Sequence, residues 1–251
     1  MFAIARGLFK RHSFVTEVKS GVNDMQNYLA KTHMCDHDDP WLMELAEEII
    51  NGAVTPVEKA RRIFGYVRDR VRFSLAYSRS TATQTLKRGY GDCLSKSNAQ
   101  VALLRSMDIP ARFHWVKVES VILHHLVADF LYRQMPLTAS HFWPECFLDG
   151  RWISCEAFLD KPLYDGMLKK ELITKEQVPT IEWDGKSDLT ILQAWITEQL
   201  GSISSAEDAL AHLEHSEEGM PPLWIEKMIA PIFYPLNLRY SDKIRQFSGG
   251  S

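Results

Sequence analysis

Cys93 follows Gly91-Asp92 and opens a run in which Leu94, Val101, Leu104 and Met107 recur at helical spacing, so it stands in the first turn of a helix that Asp92 caps. A thiol there has chemistry within reach. The unpaired N–H groups and the macrodipole of a helix N-terminus favour the thiolate, and the same N–H groups can receive the oxyanion of a tetrahedral intermediate. Taken alone, a cysteine opening a helix is more often a small buried hydrophobe. A base within reach is what would favour the chemical reading.

The base comes from a hairpin. The segments 141–148 (HFWPECFL) and 151–158 (RWISCEAF) flank Asp149-Gly150, the signature of a two-residue type I′ turn. With those two as loop residues, Leu148 faces Arg151, Phe147 faces Trp152, Glu145 faces Ser154 and Trp143 faces Glu156. His141 and Glu156 then become diagonal neighbours on one face, roughly 7–8 Å apart at the backbone, which their side chains can close to a hydrogen bond. Glu156 is expected to accept the Nδ1 proton, leaving Nε2 to exchange a proton with Cys93. The plainer reading is a solvent-facing polar pair. Against it, Trp143, Phe147 and Trp152 share that face and favour burial, so a histidine and a glutamate among them need a reason. Cys146 and Cys155 fall on the opposite face.

Gly91-Asp92-Cys93, the helix exit Met107-Asp108-Ile109-Pro110-Ala111-Arg112, and His141-Phe142-Trp143-Pro144-Glu145 followed by Asp149-Gly150-Arg151-Trp152 together resemble the transglutaminase-like superfamily. The resemblance covers about residues 55–160, and it implies a papain-like α+β fold: a cysteine-bearing helix packed on an antiparallel sheet that carries the histidine and an acid. It further implies cysteine-dependent acyl transfer through a thioester, by hydrolysis or transamidation of a peptide, amide or thioester bond; neither a cofactor nor a metal is expected. The other reading is a catalytically silent binding or scaffold module. The family usually has Asp where this sequence has Glu156. No glutamine stands at the papain-like oxyanion spacing, where Lys87 is found; Gln84 and Tyr90 are the oxyanion candidates. Trp143 and Trp152 are the candidate groove residues.

The elements that must hold these groups are partly legible. Asp39-Pro40 starts a helix through Leu42, Leu45 and Ile49 to Gly52, and Thr55-Pro56-Val57-Glu58 is a capping box opening a second through Val71. Residues 73–90 read as a loop. The alternation from Arg112 to Val118 reads as a strand, and Leu126–Leu131 as another. Beyond 165 the pattern is helical, with Asp188 capping a run of Leu189, Leu192, Trp195, Ile196 and Leu200, and Ser205 capping one with Leu210 and Leu213. Prolines 221, 222, 231 and 235 are expected to break the tail into short pieces that wall the groove, and Ser248-Gly-Gly-Ser to be a loose end. The expected layout is an N-terminal helical segment (1–54), the core (55–165) and a helical extension (166–251) docked into one body.

Composition narrows the function classes. A net charge of −3 over 251 residues offers no basic field for nucleic acid. No stretch reaches the roughly 20 apolar residues of a membrane span, and the opening residues lack a signal-peptide core, so a cytoplasmic protein is expected. Four cysteines without a Cys-x-x-Cys pair argue for reduced thiols. The adjacent His124 and His125 would point to opposite faces of a strand, and the cluster Asp36, His37, Asp38, Asp39 reads as a turn that caps the next helix.

Overall fold

The structure, a computed structural model, describes residues 22–75, 78–214 and 223–249. A short helix α1 (Val22–Asn27) leads to α2 (Pro40–Ile50), where Asp39 accepts from the N–H groups of Trp41 (2.9 Å) and Leu42 (3.3 Å) and Pro40 takes the first helical position. Helix α3 (Pro56–Arg70) opens on the expected capping box, Thr55 with Glu58. The expected loop at 73–90 is more ordered than its composition suggests. Strand β1 (Arg72–Phe73) pairs in parallel with β2 (Tyr90–Gly91), and between them lies α4 (Ala82–Arg88), started by a second capping box of Thr81 and Gln84 and ended by Gly89 in the left-handed region. The Thr-x-x-Gln signature for that helix was present in the sequence.

Helix α5 (Cys93–Arg105) is buried from Leu94 to Arg105 on every side. Several of its polar side chains donate to backbone carbonyls: Ser97 to Phe142 (3.0 Å), Asn98 to Met34 (2.8 Å) and Gln100 to Cys155 (2.9 Å). A helix so enclosed is the centre of the domain, not a covering layer.

The main sheet is antiparallel, its strands lying in the order 151–154, 138–148, 111–119 and 196–203. Strand β3 (Ala111–Glu119) pairs with β4 (Thr138–Leu148), which turns into β5 (Arg151–Ser154). The turn residues Asp149 (φ 49°) and Gly150 (φ 83°) are both left-handed, as a type I′ turn requires, and the register is the one derived from it: Leu148 opposite Arg151, Phe147 opposite Trp152, Glu145 opposite Ser154. Between β3 and β4 the expected strand at 126–131 is absent. Leu126, Val127 and Ala128 are buried in a turn that enters the one-turn helix α6 (Asp129–Tyr132), an apolar run too short for periodicity to classify. His124 and His125 lie just beyond a 3₁₀ turn (Ser120–Leu123) instead of on a strand, and their rings meet at 4.4 Å.

After α7 (Lys161–Lys169) the expected helix at 189–200 gives way to extended chain, a 3₁₀ turn (Gln193–Trp195) and strand β6 (Ile196–Ile203). The apolar spacing was real, and Leu189, Ile191, Leu192 and Trp195 are buried. It fills the core from the extended chain and the 3₁₀ turn ahead of β6, while β6 itself, largely exposed, pairs with the open edge of β3. Helix α8 (Ala206–Glu214) starts where expected, with Ser205 accepting from Asp208 N–H (3.0 Å). Helix α9 (Leu223–Arg245) runs unbroken through Pro231 and Pro235, although each forfeits a backbone hydrogen bond. Its C-terminal half is anchored by buried Asn237, Ser241, Ile244 and Arg245. Ser248 closes a last 3₁₀ turn (Gln246–Gly249) and accepts from Lys169 through its carbonyl (3.3 Å), so it is not a loose end. Prolines 221 and 222 and residues 250–251 lie outside the described residues, as do the opening residues. No helix among the described residues is long and apolar enough to cross a membrane.

Candidate active site

The N-terminus of α5 is fixed by Asp92, whose Oδ1 accepts from Ser95 N–H (2.8 Å) and Oγ (2.7 Å) while Oδ2 accepts from Ser78. Gly91 precedes it because a Cβ there would stand 2.5 Å from Ser95 Oγ. Cys93 is therefore presented at a rigid helix start. It is partly accessible, whereas Cys35, Cys146 and Cys155 are buried. The thiol itself differs from the sequence expectation. Burial, reinforced by the neighbouring Asp92 charge, pushes it up despite opposing contributions from the Phe142 and Leu94 backbone. Desolvation outweighs the helix dipole here, so no free thiolate is favoured at rest.

On the hairpin, His141 and Glu156 are both buried, and Nε2 of His141 donates to Glu156 Oε1 at 2.7 Å. The ring nitrogens are thus used in the order opposite to that expected. Glu156 fixes the Nε2–H tautomer, and Nδ1 keeps the lone pair. The second oxygen of Glu156 accepts from the N–H of Ile191 and, at 3.4 Å, of Leu192, while Glu156 N–H donates to the Leu189 carbonyl (3.1 Å). The extended chain 189–192 therefore straps the carboxylate from behind. Trp143 completes the hairpin face by donating to Ser154 Oγ (3.0 Å).

Two spaces bring these groups to one place. A narrow cleft is lined by Cys93, Lys96, Phe142 and Glu156, and an apolar cavity of about 190 Å³ is lined by both Cys93 and His141. Residues 43–157 match the model of the transglutaminase-like superfamily, a span that holds all three groups. That stretch is similar to a transglutaminase-like domain.

One solved structure adds the fold. A protein provisionally named a cysteine protease, from Cytophaga hutchinsonii, is 18% identical over 78% of this chain and 52% of its own, with a TM-score of 0.50. Red sea bream transglutaminase is 16% identical over 48% of this chain and 27% of its own (TM-score 0.36). The chain thus spans about half the length of the first of these. No curated protein matches it.

Within the matched span the remaining sequence candidates sit apart from the cavity. Gln84 is exposed, its side chain accepting from Thr81 N–H (3.1 Å) to cap α4. The Tyr90 ring lies against Arg88 at 5.0 Å. Trp143 is buried against His114 (4.6 Å), and Trp152 lies under Arg112 (4.1 Å) and beside Tyr28 (4.8 Å). Neither tryptophan lines the cavity. The acidic turn is occupied as expected, with Asp39 capping α2 and Asp38 pairing with Lys31 (2.7 Å). Among the described residues no group of three or more His, Cys, Asp or Glu could hold a metal.

Two features escaped sequence reasoning. The 189–192 strap has no local signal, since its partner Glu156 is about thirty-five residues away. Lys96 had one, standing three residues after Cys93 on the same face of α5. It is buried, donates to the carbonyls of Phe158 (3.2 Å) and Arg68 (3.3 Å), and burial brings its pKa down to about 7.

Proposed function

We propose that this chain performs cysteine-dependent acyl transfer through a thioester acyl-enzyme, with Cys93 as nucleophile, His141 as general base and acid, and Glu156 as the group that orients the imidazole. The observation that carries this reading is the buried His141–Glu156 pair whose histidine shares a cavity wall with the one partly accessible thiol. Because the thiol is held above its ordinary range, attack on the carbonyl is coupled to transfer of its proton to His141 Nδ1; Glu156 steadies the imidazolium that forms. His141 then returns the proton to the leaving group, and water or an amine resolves the thioester. The substrate is a peptide, amide or thioester-linked acyl group, and hydrolysis is the favoured outcome because water is always available.

A second reading is a silent module that uses the same cavity for binding. The raised Cys93 thiol favours it. Incubation with cell extract and a mass-spectrometric search for an acyl adduct on Cys93 separates the two. An adduct that is absent from His141→Ala supports the enzyme; an unmodified Cys93 under conditions that trap known thioester intermediates overturns it.

A further inference from the structure

The cavity beside Cys93 is walled mainly by apolar side chains from many parts of the chain. Phe73 comes from β1, Val118 from the end of β3, Leu123 from the 3₁₀ turn, Leu192 from the strap and Leu213 from α8, with Cys93 and His141 at one side. Among the described residues no lysine or arginine lines it, and the acidic side chain in its wall, Asp92, is already bonded to Ser78 and Ser95. An anionic group would lose its hydration there and meet no lysine or arginine among the described residues. A dry apolar void of about 150 Å³ lined by similar side chains accepts benzene. At about 190 Å³, this one has room for a phenyl ring or a branched chain of similar size.

We infer that the cavity is the acyl subsite of the proposed enzyme and selects an apolar group, aromatic or aliphatic, carried on the carbonyl that Cys93 attacks. This inference rests on the proposed role of Cys93, and the experiment has one arm that does not. In the first arm the protein is treated with p-nitrophenyl esters of acetate, hexanoate, phenylacetate and glutarate, and mass gain on Cys93 is followed. In this step the Cys93 sulfur bonds to the acyl carbon, the ester C–O bond breaks, the thiol proton passes to His141, and p-nitrophenolate leaves with the electron pair. Each buried methylene is worth roughly fourfold. Hexanoate and phenylacetate should therefore acylate at least about 30-fold faster than acetate, and glutarate, of similar length but charged, should gain none of that advantage.

Ala139 lines the cavity from β4 and is only partly buried, so Ala139→Leu grows into the open space and not into the core. It should cut the hexanoate-to-acetate ratio about tenfold. Leu123→Ala, which enlarges the space instead, should raise the preference for phenylacetate. In the second arm Cys93→Ala is titrated with hexanamide and with glutaramate, followed by NMR; hexanamide alone should bind. Equal rates for all four esters, or a hexanoate-to-acetate ratio untouched by both variants, overturns the subsite. Acylation without selectivity would leave the nucleophile standing and the pocket refuted. Hexanamide binding to Cys93→Ala without any acylation of the wild type would do the reverse.

Discussion

At the scale of single residues, the proposed chemistry depends on a thiol that is not activated in advance. Cys93 is reachable and its three counterparts are not, so iodoacetamide should label it first in the folded protein. Its pKa lies above the ordinary thiol value, so the thiolate fraction, and with it the labelling rate, should climb as pH rises into the alkaline range. His141→Ala should lower the rate near pH 7 and leave the alkaline limb. Peptide-level mass spectrometry decides it, and faster labelling of Cys35, Cys146 or Cys155 would remove Cys93 as nucleophile. Glu156 gives a second test. Glu156→Gln can still accept from Ile191 and Leu192 N–H but lacks the charge that steadies imidazolium, so turnover should fall by about 10²–10⁴-fold with a native-like unfolding midpoint. Glu156→Asp, one methylene short of bridging His141 and the strap, should retain part of the activity.

At the scale of elements, α5 carries the clearest pH signature. Lys96 has a folded-state pKa of about 7 against 10.5 when free, because burial outweighs the favourable charges of Asp160 and Asp69, while Arg245 and Arg68 add to the depression. Between these two values the unfolded chain binds a proton that the folded chain does not, so stability from this residue rises with pH across about 7 to 10.5. Below pH 7 both states are protonated and the full cost of a buried ammonium is present. Lys96→Met should therefore flatten the slope of unfolding free energy over that window and raise stability near pH 6. Part of that gain is offset by the carbonyls of Arg68 and Phe158 left without a donor. Urea unfolding of both proteins from pH 6 to 10 measures it, and parallel curves would show that Lys96 does not titrate in this range.

At the scale of the whole molecule, a buried ion pair helps fasten the C-terminal helix into the domain. Arg245 donates from Nε (2.9 Å) and Nη2 (2.6 Å) to the carboxylate of Asp160, the residue that caps α7, and from Nη2 to the Phe73 carbonyl (3.0 Å). Arg245 holds the Asp160 carboxyl below the usual range, so this contribution is present at neutral pH and fades as acid titrates it. Arg245→Ala leaves a buried carboxylate unpaired and should cost about 3–5 kcal/mol in urea unfolding. Gly166 completes the contact, because a Cβ there would collide with the Ile244 carbonyl. Truncation after Gly166 removes the strap, β6 and α9 together and should abolish the cooperative unfolding transition. A truncated protein with a native near-UV circular dichroism spectrum would show that the extension is dispensable.

Local rules determined much of this protein because they act over a few residues. The Asp39 cap, the Thr55–Glu58 box, the Cys93 helix start and the Asp149-Gly150 turn each close hydrogen bonds within four positions, and the turn's register then brought His141 to Glu156. Only the tertiary structure decided which imidazole nitrogen meets Glu156, since that depends on ring orientation between strand and strap. It also decided the Cys93 pKa, because desolvation is a property of everything packed around α5, and the cavity, whose walls come from segments spread between Phe73 and Leu213. The same reason explains the missed strand β6: the spacing of Leu192, Trp195, Ile196 and Leu200 fits a helix equally well, and the open edge of β3 resolved it.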